Sequence, residues 1–216
     1  VPNGLPVTEL SLPEYDNNHN SCIWGYMWGY DWNSAEKGDN ISKPKTDADF
    51  TPLGLMNYSE VCFLKAEAAL RGWQGAGDAK TNYENGIRAS FEEMRANAPK
   101  DSYSKSNDDK YISEGNVAWN NADSFEAKLE KIITQKWIGI YPNSEEAWAE
   151  FRRTGYPKLN PVKQSLEPTI NPKNGEFIKK LRYVDNELSN NKEYATDPTL
   201  NGGQGDGLSV RVWWDT

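Results

Sequence analysis

Apolar residues begin to recur at helical spacing only near residue 57. Val61, Leu64 and Ala68 run alongside Phe63, Ala66 and Leu70, a broad stripe that predicts a helix from Asn57 to Gly72. Asn57 and Glu60 have the spacing of a capping box at its start. The short break Gln74-Gly75-Ala76-Gly77 gives way to a second periodic run, Ala79, Tyr83, Ile87, Phe91 and Met94, with Asp78 placed to cap it. Two such helices across a short loop read as an antiparallel hairpin in which each stripe covers the other. Leu64 and Tyr83 are accordingly expected in its core.

Residues 97–118 are polar and read as a surface loop. A third helix is expected from Asp123 to Gly139, with Phe125, Leu129, Ile132, Ile133, Trp137 and Ile140 on its inward side. Asn143 and Glu146 again have cap spacing, and the fourth helix carries Ala147, Trp148 and Phe151 until Gly155 and Pro157 stop it. Pro157, Pro161, Pro168 and Pro172 exclude a regular element over 157–175. Leu181, Val184 and Leu188 predict a shorter helical stretch within Phe177 to Tyr194. After a Gly/Asn loop from Asp197 to Asp206, the apolar run Leu208 to Trp214 is expected to dock on the helical core.

These elements make an all-α fold with long irregular loops. The hairpin of residues 57–94 is near the length of about 34 residues of a tetratricopeptide-type repeat. Ala66, Ala68 and Ala69 on one helix and Ala79, Gly86 and Ala89 on the other allow close approach. Only one copy is visible, and one repeat cannot bury its own outer face. Its neighbours either diverge in sequence or lie outside this chain.

Residues 1–56 form a different region, rich in Pro, Asn, Asp and Gly, with one aromatic island. Trp24, Tyr26, Trp28, Tyr30 and Trp32 occupy every second position, so an extended segment would place all five rings on one side. Aromatic faces suit sugar C–H groups, and the polar atoms of Trp and Tyr bond hydroxyls. Three readings stay open: rings packed on the helical core, a partly exposed platform for a ligand, or no regular extended geometry.

Composition narrows the function. The 216 residues carry a formal charge of −8 and 12% aromatic side chains. That aromatic content argues for a folded core, and the acidic balance without a basic block makes nucleic acid an unsuitable partner. No apolar run approaches the length of a membrane-spanning helix. Cys22 and Cys62 permit one disulfide, and a free buried thiol at Cys62 is equally compatible with the pattern.

Candidate chemistry is sparse. His19, the sole histidine, sits in an Asp/Asn loop without a nucleophile motif, and no spacing of zinc ligands occurs. The Gly202 to Gly207 run lacks the strand-to-helix setting of a phosphate loop. Asp31, Asp39, Asn40, Asp47 and Asp49, or Asp197, Asn201 and Asp206, offer calcium-type oxygens, but none follows the spaced calcium loop, and turns explain them better. Glu146 and Glu150 share a helical face, which a glycoside hydrolase would need, yet Arg152 and Arg153 beside them point to ion pairing. No catalytic residue, cofactor or metal is expected.

Several ordered blocks carry a family pattern. Ile133-Thr134-Gln135-Lys136-Trp137-Ile138, Tyr141-Pro142-Asn143, and Glu146-Ala147-Trp148-Ala149-Glu150-Phe151-Arg152-Arg153-Thr154-Gly155-Tyr156-Pro157 resemble the signature of the SusD/RagB family, nutrient-binding outer-membrane lipoproteins of Bacteroidetes. The helices begun at Asn57 and Asp78, and the closing Leu208-Ser209 with Arg211 and Trp213-Trp214-Asp215, resemble the same family, so the likeness spans 57–216. Within the signature, helical spacing assigns Trp137, Trp148 and Phe151 to packing, Arg152 and Arg153 to the helix end, and Gly155 to its stop.

The resemblance implies a tetratricopeptide-like α-α superhelix of which this chain is the C-terminal portion, in one truncated domain. It implies cell-surface oligosaccharide binding without catalysis, a lipid anchor in the full-length protein, and a TonB-dependent transporter as partner. A peptide-binding or protein-interaction subunit is the alternative, and a glycoside hydrolase the distant one.

Overall fold

A computed structural model of the chain describes residues 54–97 and 105–215. Secondary structure among them is helical, without a strand. They divide into two compact units, one ending at Glu150 and the other beginning at Phe151.

In the first unit, α1 (Tyr58–Leu70) and α2 (Ala79–Asn97) form the expected hairpin, and α4 (Phe125–Gly139) packs on both. Phe63 and Ala66 of α1, Tyr83 and Ile87 of α2, and Ile132 and Ile133 of α4 are all but inaccessible to solvent. Phe63 meets Tyr83 edge-on at 6.5 Å between ring centroids, and the Tyr83 hydroxyl donates to the carbonyl of Val117 at 2.8 Å. Burial pushes that phenol far above its ordinary value, so the hydroxyl remains a donor. Close approach depends on Gly86: a Cβ there would lie 2.7 Å from the Phe63 ring.

The stripe on α1 splits in two. Leu64 is 37% exposed, contrary to its expected place in the core. Successive helical positions differ by about 100°, so the turn that aims Phe63 and Ala66 at α2 and α4 carries Leu64 away from them. Cys62, on the inward side, is a buried free thiol.

Capping also departs from expectation at one helix. Asp78 does cap α2, accepting from the Thr81 amide at 2.8 Å. Asn57 makes no side-chain cap on α1. Instead Glu93 reaches across from α2 and accepts from the Ser59 amide at 2.9 Å and its hydroxyl at 2.6 Å, satisfying a helix-start donor from outside the helix.

Within the polar connector, read from the sequence as a surface loop, residues 105–113 are helical. A 3-10 turn (Lys105–Asn107) leads into α3 (Asp108–Ser113). Its acidic first turn is tied to α2: Arg95 donates to both Asp108 oxygens at 3.0 and 2.6 Å, and Arg88 pairs with Asp109 at 2.7 Å. Tyr111 stacks edge-on with Phe91 at 5.3 Å, and Ile112 is buried.

The division between units falls inside α5 (Ser144–Thr154). Gly155 ends that helix with φ of 71°, a left-handed conformation that suits glycine. Beyond it the second unit is mostly irregular, with a 3-10 turn (Pro172–Asn174) and the short helices α6 (Asp185–Asn190), α7 (Lys192–Ala195) and α8 (Leu200–Gly203).

Helix therefore begins at Asp185 and not at Phe177. The Lys179 and Lys180 amides donate to the carbonyl of Leu208 at 2.7 and 3.2 Å, a pairing that takes the donors a helix would use. The C-terminal run docks on this irregular framework: the Leu208 amide donates to the Thr169 hydroxyl at 3.2 Å and Val210 is buried. Trp213, expected to dock with it, is 95% exposed.

Candidate functional site

The five island residues Trp24, Tyr26, Trp28, Tyr30 and Trp32 lie outside the described residues, as does His19. The signature segment is described in full, and it builds one buried ionic cluster in each unit.

In the first unit Lys136 projects from the inward face of α4, on the stripe of Leu129, Ile132, Ile133 and Ile140, and its side chain is 1% exposed. An ammonium in such a place requires carboxylate partners. It has three: Glu146 at 2.9 Å and Glu150 at 3.3 Å, both from α5, and Glu60 of α1 at 3.7 Å. One lysine thus joins three helices. Glu60, which the sequence offers as a capping residue, is drawn into the interior by this cation. Burial pushes its carboxyl above the ordinary glutamate value; Lys136 opposes the shift, and Glu146 and Glu150 add to it.

Asn143 holds α5 at its start by accepting from the Glu146 amide at 3.2 Å. The Glu146 side chain bonds Lys136 at 2.9 Å. Both carboxylates that a hydrolase would require thus converge on one ammonium and serve packing. Among the described residues there is no cluster of three or more His, Cys, Asp or Glu able to hold a metal ion.

The cluster in the second unit surrounds Arg152 and the C-terminus. Phe151 is buried, edge-on to Phe177 at 5.0 Å, with the Lys179 ammonium 4.7 Å from its ring centre. Arg152 donates to the Lys179 carbonyl at 2.9 Å, and its guanidinium lies 4.5 Å above the Trp214 ring. Burial pulls Arg152 below its ordinary value while Asp215 opposes that shift. The Asp215 side chain is fully buried and accepts from Lys179 at 3.2 Å. Trp137, Trp148 and Arg153 are half-buried.

Of the oxygens considered as calcium ligands, Asp31, Asp39, Asn40, Asp47 and Asp49 lie outside the described residues, and Asp197 and Asp206 are engaged by protein groups. Asp197 accepts from the amide and hydroxyl of Thr199 at 2.7 and 2.6 Å, an Asx turn. Asp206 accepts from the Tyr183 amide at 3.0 Å and pairs closely with the Lys180 ammonium.

Sequence reasoning passed over Glu60, Lys136, Asp206 and Asp215 as members of ionic clusters. Lys136 had a visible signal, since a charged residue at i+3 and i+7 from buried apolar positions must find a partner. Asp206 and Asp215 had none, because their partners are set by loop geometry.

Comparison with known proteins converges on one family. The family model described as "SusD-like: Susd and RagB outer membrane lipoprotein" matches residues 12–215. A chitin-binding SusD homologue from Flavobacterium johnsoniae is 38% identical, with a TM-score of 0.58, over 75% of this chain and 36% of its own. A SusD homologue from Bacteroides thetaiotaomicron is 31% identical with a TM-score of 0.61, covering 82% of this chain and 40% of its own. A SusD-like protein described only as from Bacteroidetes is 31% identical with a TM-score of 0.63, covering 85% and 36%. The chain therefore spans well under half the length of the solved structures it matches. No curated protein matches it. With a family model covering nearly its whole length and an all-helical fold shared with these structures, the chain belongs to the SusD/RagB family of outer-membrane lipoproteins.

Proposed function

We propose that the chain is part of a non-catalytic, cell-surface protein that captures oligosaccharide for import through a TonB-dependent outer-membrane transporter. The observation that carries this reading is the family match over residues 12–215. Its relative from Flavobacterium johnsoniae, 38% identical, binds chitin and supports a glycan as ligand. The commitment of Glu146 and Glu150 to Lys136 favours binding over hydrolysis.

The aromatic island is the glycan-contacting element in this proposal, because five alternating rings offer stacking area that the charged clusters of the signature do not. Attachment to the outer membrane is by lipid in the full-length protein. No helix among the described residues is long and apolar enough to cross a membrane.

Calorimetric titration with chito-, malto- and xylo-oligosaccharides tests the proposal. Saturable heat with at least one series, and no reducing-end release on prolonged incubation, is the expected result. Failure of every series would remove the glycan reading. Release that vanishes in Glu146→Gln or Glu150→Gln while binding persists would replace it with hydrolysis.

A further inference from the structure

The segment 105–113, a 3-10 turn followed by α3, is fastened to α2 and α4 by contacts that are mostly ionic. Arg95 of α2 grips both Asp108 oxygens at 3.0 and 2.6 Å, and these two side chains are only 15% and 16% exposed. The other pairs sit in solvent: Arg88 meets Asp109 at 2.7 Å with the carboxylate 84% exposed, and Lys105 pairs with Glu92, which Arg95 also approaches at 3.2 Å. Apolar attachment is slight. Ile112 is the one buried residue of α3, and the Tyr111 ring meets Phe91 edge-on at 5.3 Å. The Tyr111 hydroxyl lies 3.2 and 3.1 Å from the two polar ends of the buried Gln135 carboxamide on α4. We propose that residues 105–113 form a strap that opens on its own, ahead of the helices beneath it, and that salt loosens its hold.

The physics of the two parts differs. A helix of six residues is too short to persist without its contacts. Exposed ion pairs are weak and are screened by salt, whereas α1, α2 and α4 close over Phe63, Tyr83, Ile132 and Ile133, an apolar core that screening does not reach. Local opening draws on segments with few buried apolar contacts, and the strap is one.

The backbone supplies a pivot where the strap ends. Gly115 has a φ of 57°, with nothing within 4 Å of the place a Cβ would take. Just beyond it the carbonyls of Val117 and Ala118 are held by the Tyr83 hydroxyl at 2.8 Å and the Lys131 ammonium at 2.6 Å. Rotation at Gly115 thus lifts 105–113 and leaves the chain from Val117 onward anchored. Closed, the strap shields the Phe91 ring and occupies the Gln135 carboxamide; open, it bares both. Under the proposed cell-surface location, the salt of the medium acts on it directly.

Hydrogen exchange read by mass spectrometry on the intact chain tests the proposal. Peptides covering 105–113 should exchange faster than core peptides of α1 and α4. They should quicken by a further factor of about 2 to 5 between about 0.01 M and about 1 M salt, a range over which the screening length falls from about 30 Å to about 3 Å. Arg95→Gln, which removes the shielded pair, should raise exchange in 105–113 about tenfold or more and leave α1 and α4 as they were. Gly115→Ala touches no ion pair but strains the closed form at its positive φ, and should raise exchange about fivefold with the salt response intact. Trypsin cleavage after the exposed Lys110 should follow the same order. Exchange of 105–113 at the rate of the α1 and α4 core would overturn the proposal, as would a rate indifferent to salt. Loss of protection throughout the unit in either variant would do the same, since α3 would then be part of the core.

Discussion

Leu64 and Tyr83 occupy equivalent places in the apolar pattern of the hairpin, and their environments differ completely. Tyr83 has no accessible surface and contacts Phe63 and Trp119 with its ring, while Leu64 keeps 37% of its surface in solvent. Alanine at Tyr83 should therefore cost about 3 kcal/mol or more, and alanine at the part-exposed Leu64 distinctly less, about 1 kcal/mol. Phenylalanine at Tyr83 separates hydroxyl from ring: losing the bond to Val117 should cost about 1 kcal/mol. Denaturant unfolding of the three variants checks the ranking, and equal losses at both alanine sites would contradict the placement of α1. Lys136 shows the complementary lesson. Its position on an apolar stripe is a signal of pairing that the sequence analysis did not use, and its partners lie 10, 14 and 76 residues away in sequence, so only folding brings them together.

At the scale of elements, helix formation and helix packing make opposite demands on Gly86. Replacing a mid-helix glycine by alanine is worth about 1 kcal/mol by propensity alone. Here the new methyl would meet the Phe63 ring at 2.7 Å, and Phe63 is itself fully buried with no room to retreat. Overpacking of that kind costs about 1 to 3 kcal/mol. Gly86→Ala should thus be destabilising on balance, visible as a lower thermal midpoint, with a gain in stability the contrary result. Elements were legible where an apolar period runs for several turns, as in α2, α4 and α5, and in α1 even though Leu64 of its stripe is exposed. They were not where tertiary partners decided. The helix α3 contains one buried apolar residue and is held by Arg95 and Arg88, so periodicity could not find it. Leu181 and Val184 have helical spacing, yet they are 72% and 68% exposed, and the preceding backbone pairs with Leu208.

For the whole molecule, the family and the all-helical class were readable from ordered signature blocks, because those blocks encode buried contacts that few other residues satisfy. The ligand surface was not readable in the same way, since the signature proves to be occupied by structural ion pairs. Rings outside it remain the strongest candidates: the island on one side and, on the other, single exposed rings, among them Trp73 and, most exposed, Trp213. Their difference lies in number and spacing. A single protruding ring offers one stacking contact, whereas Trp24, Tyr26, Trp28, Tyr30 and Trp32 alternate in a polar, glycine-containing stretch and would offer several under the proposed function. At least two of the five should border the glycan. Truncating either should cost about 1 to 3 kcal/mol of binding, where hot spots begin, or about a 5- to 150-fold weaker dissociation constant. Calorimetry on the five single alanine variants, with Trp213→Ala beside them and unfolding curves to exclude global damage, decides the matter. Folded variants with parental affinity at all five positions would rule the island out, and a loss confined to Trp213→Ala would move the site to the C-terminal unit. Island variants that unfold would instead make those rings part of the core.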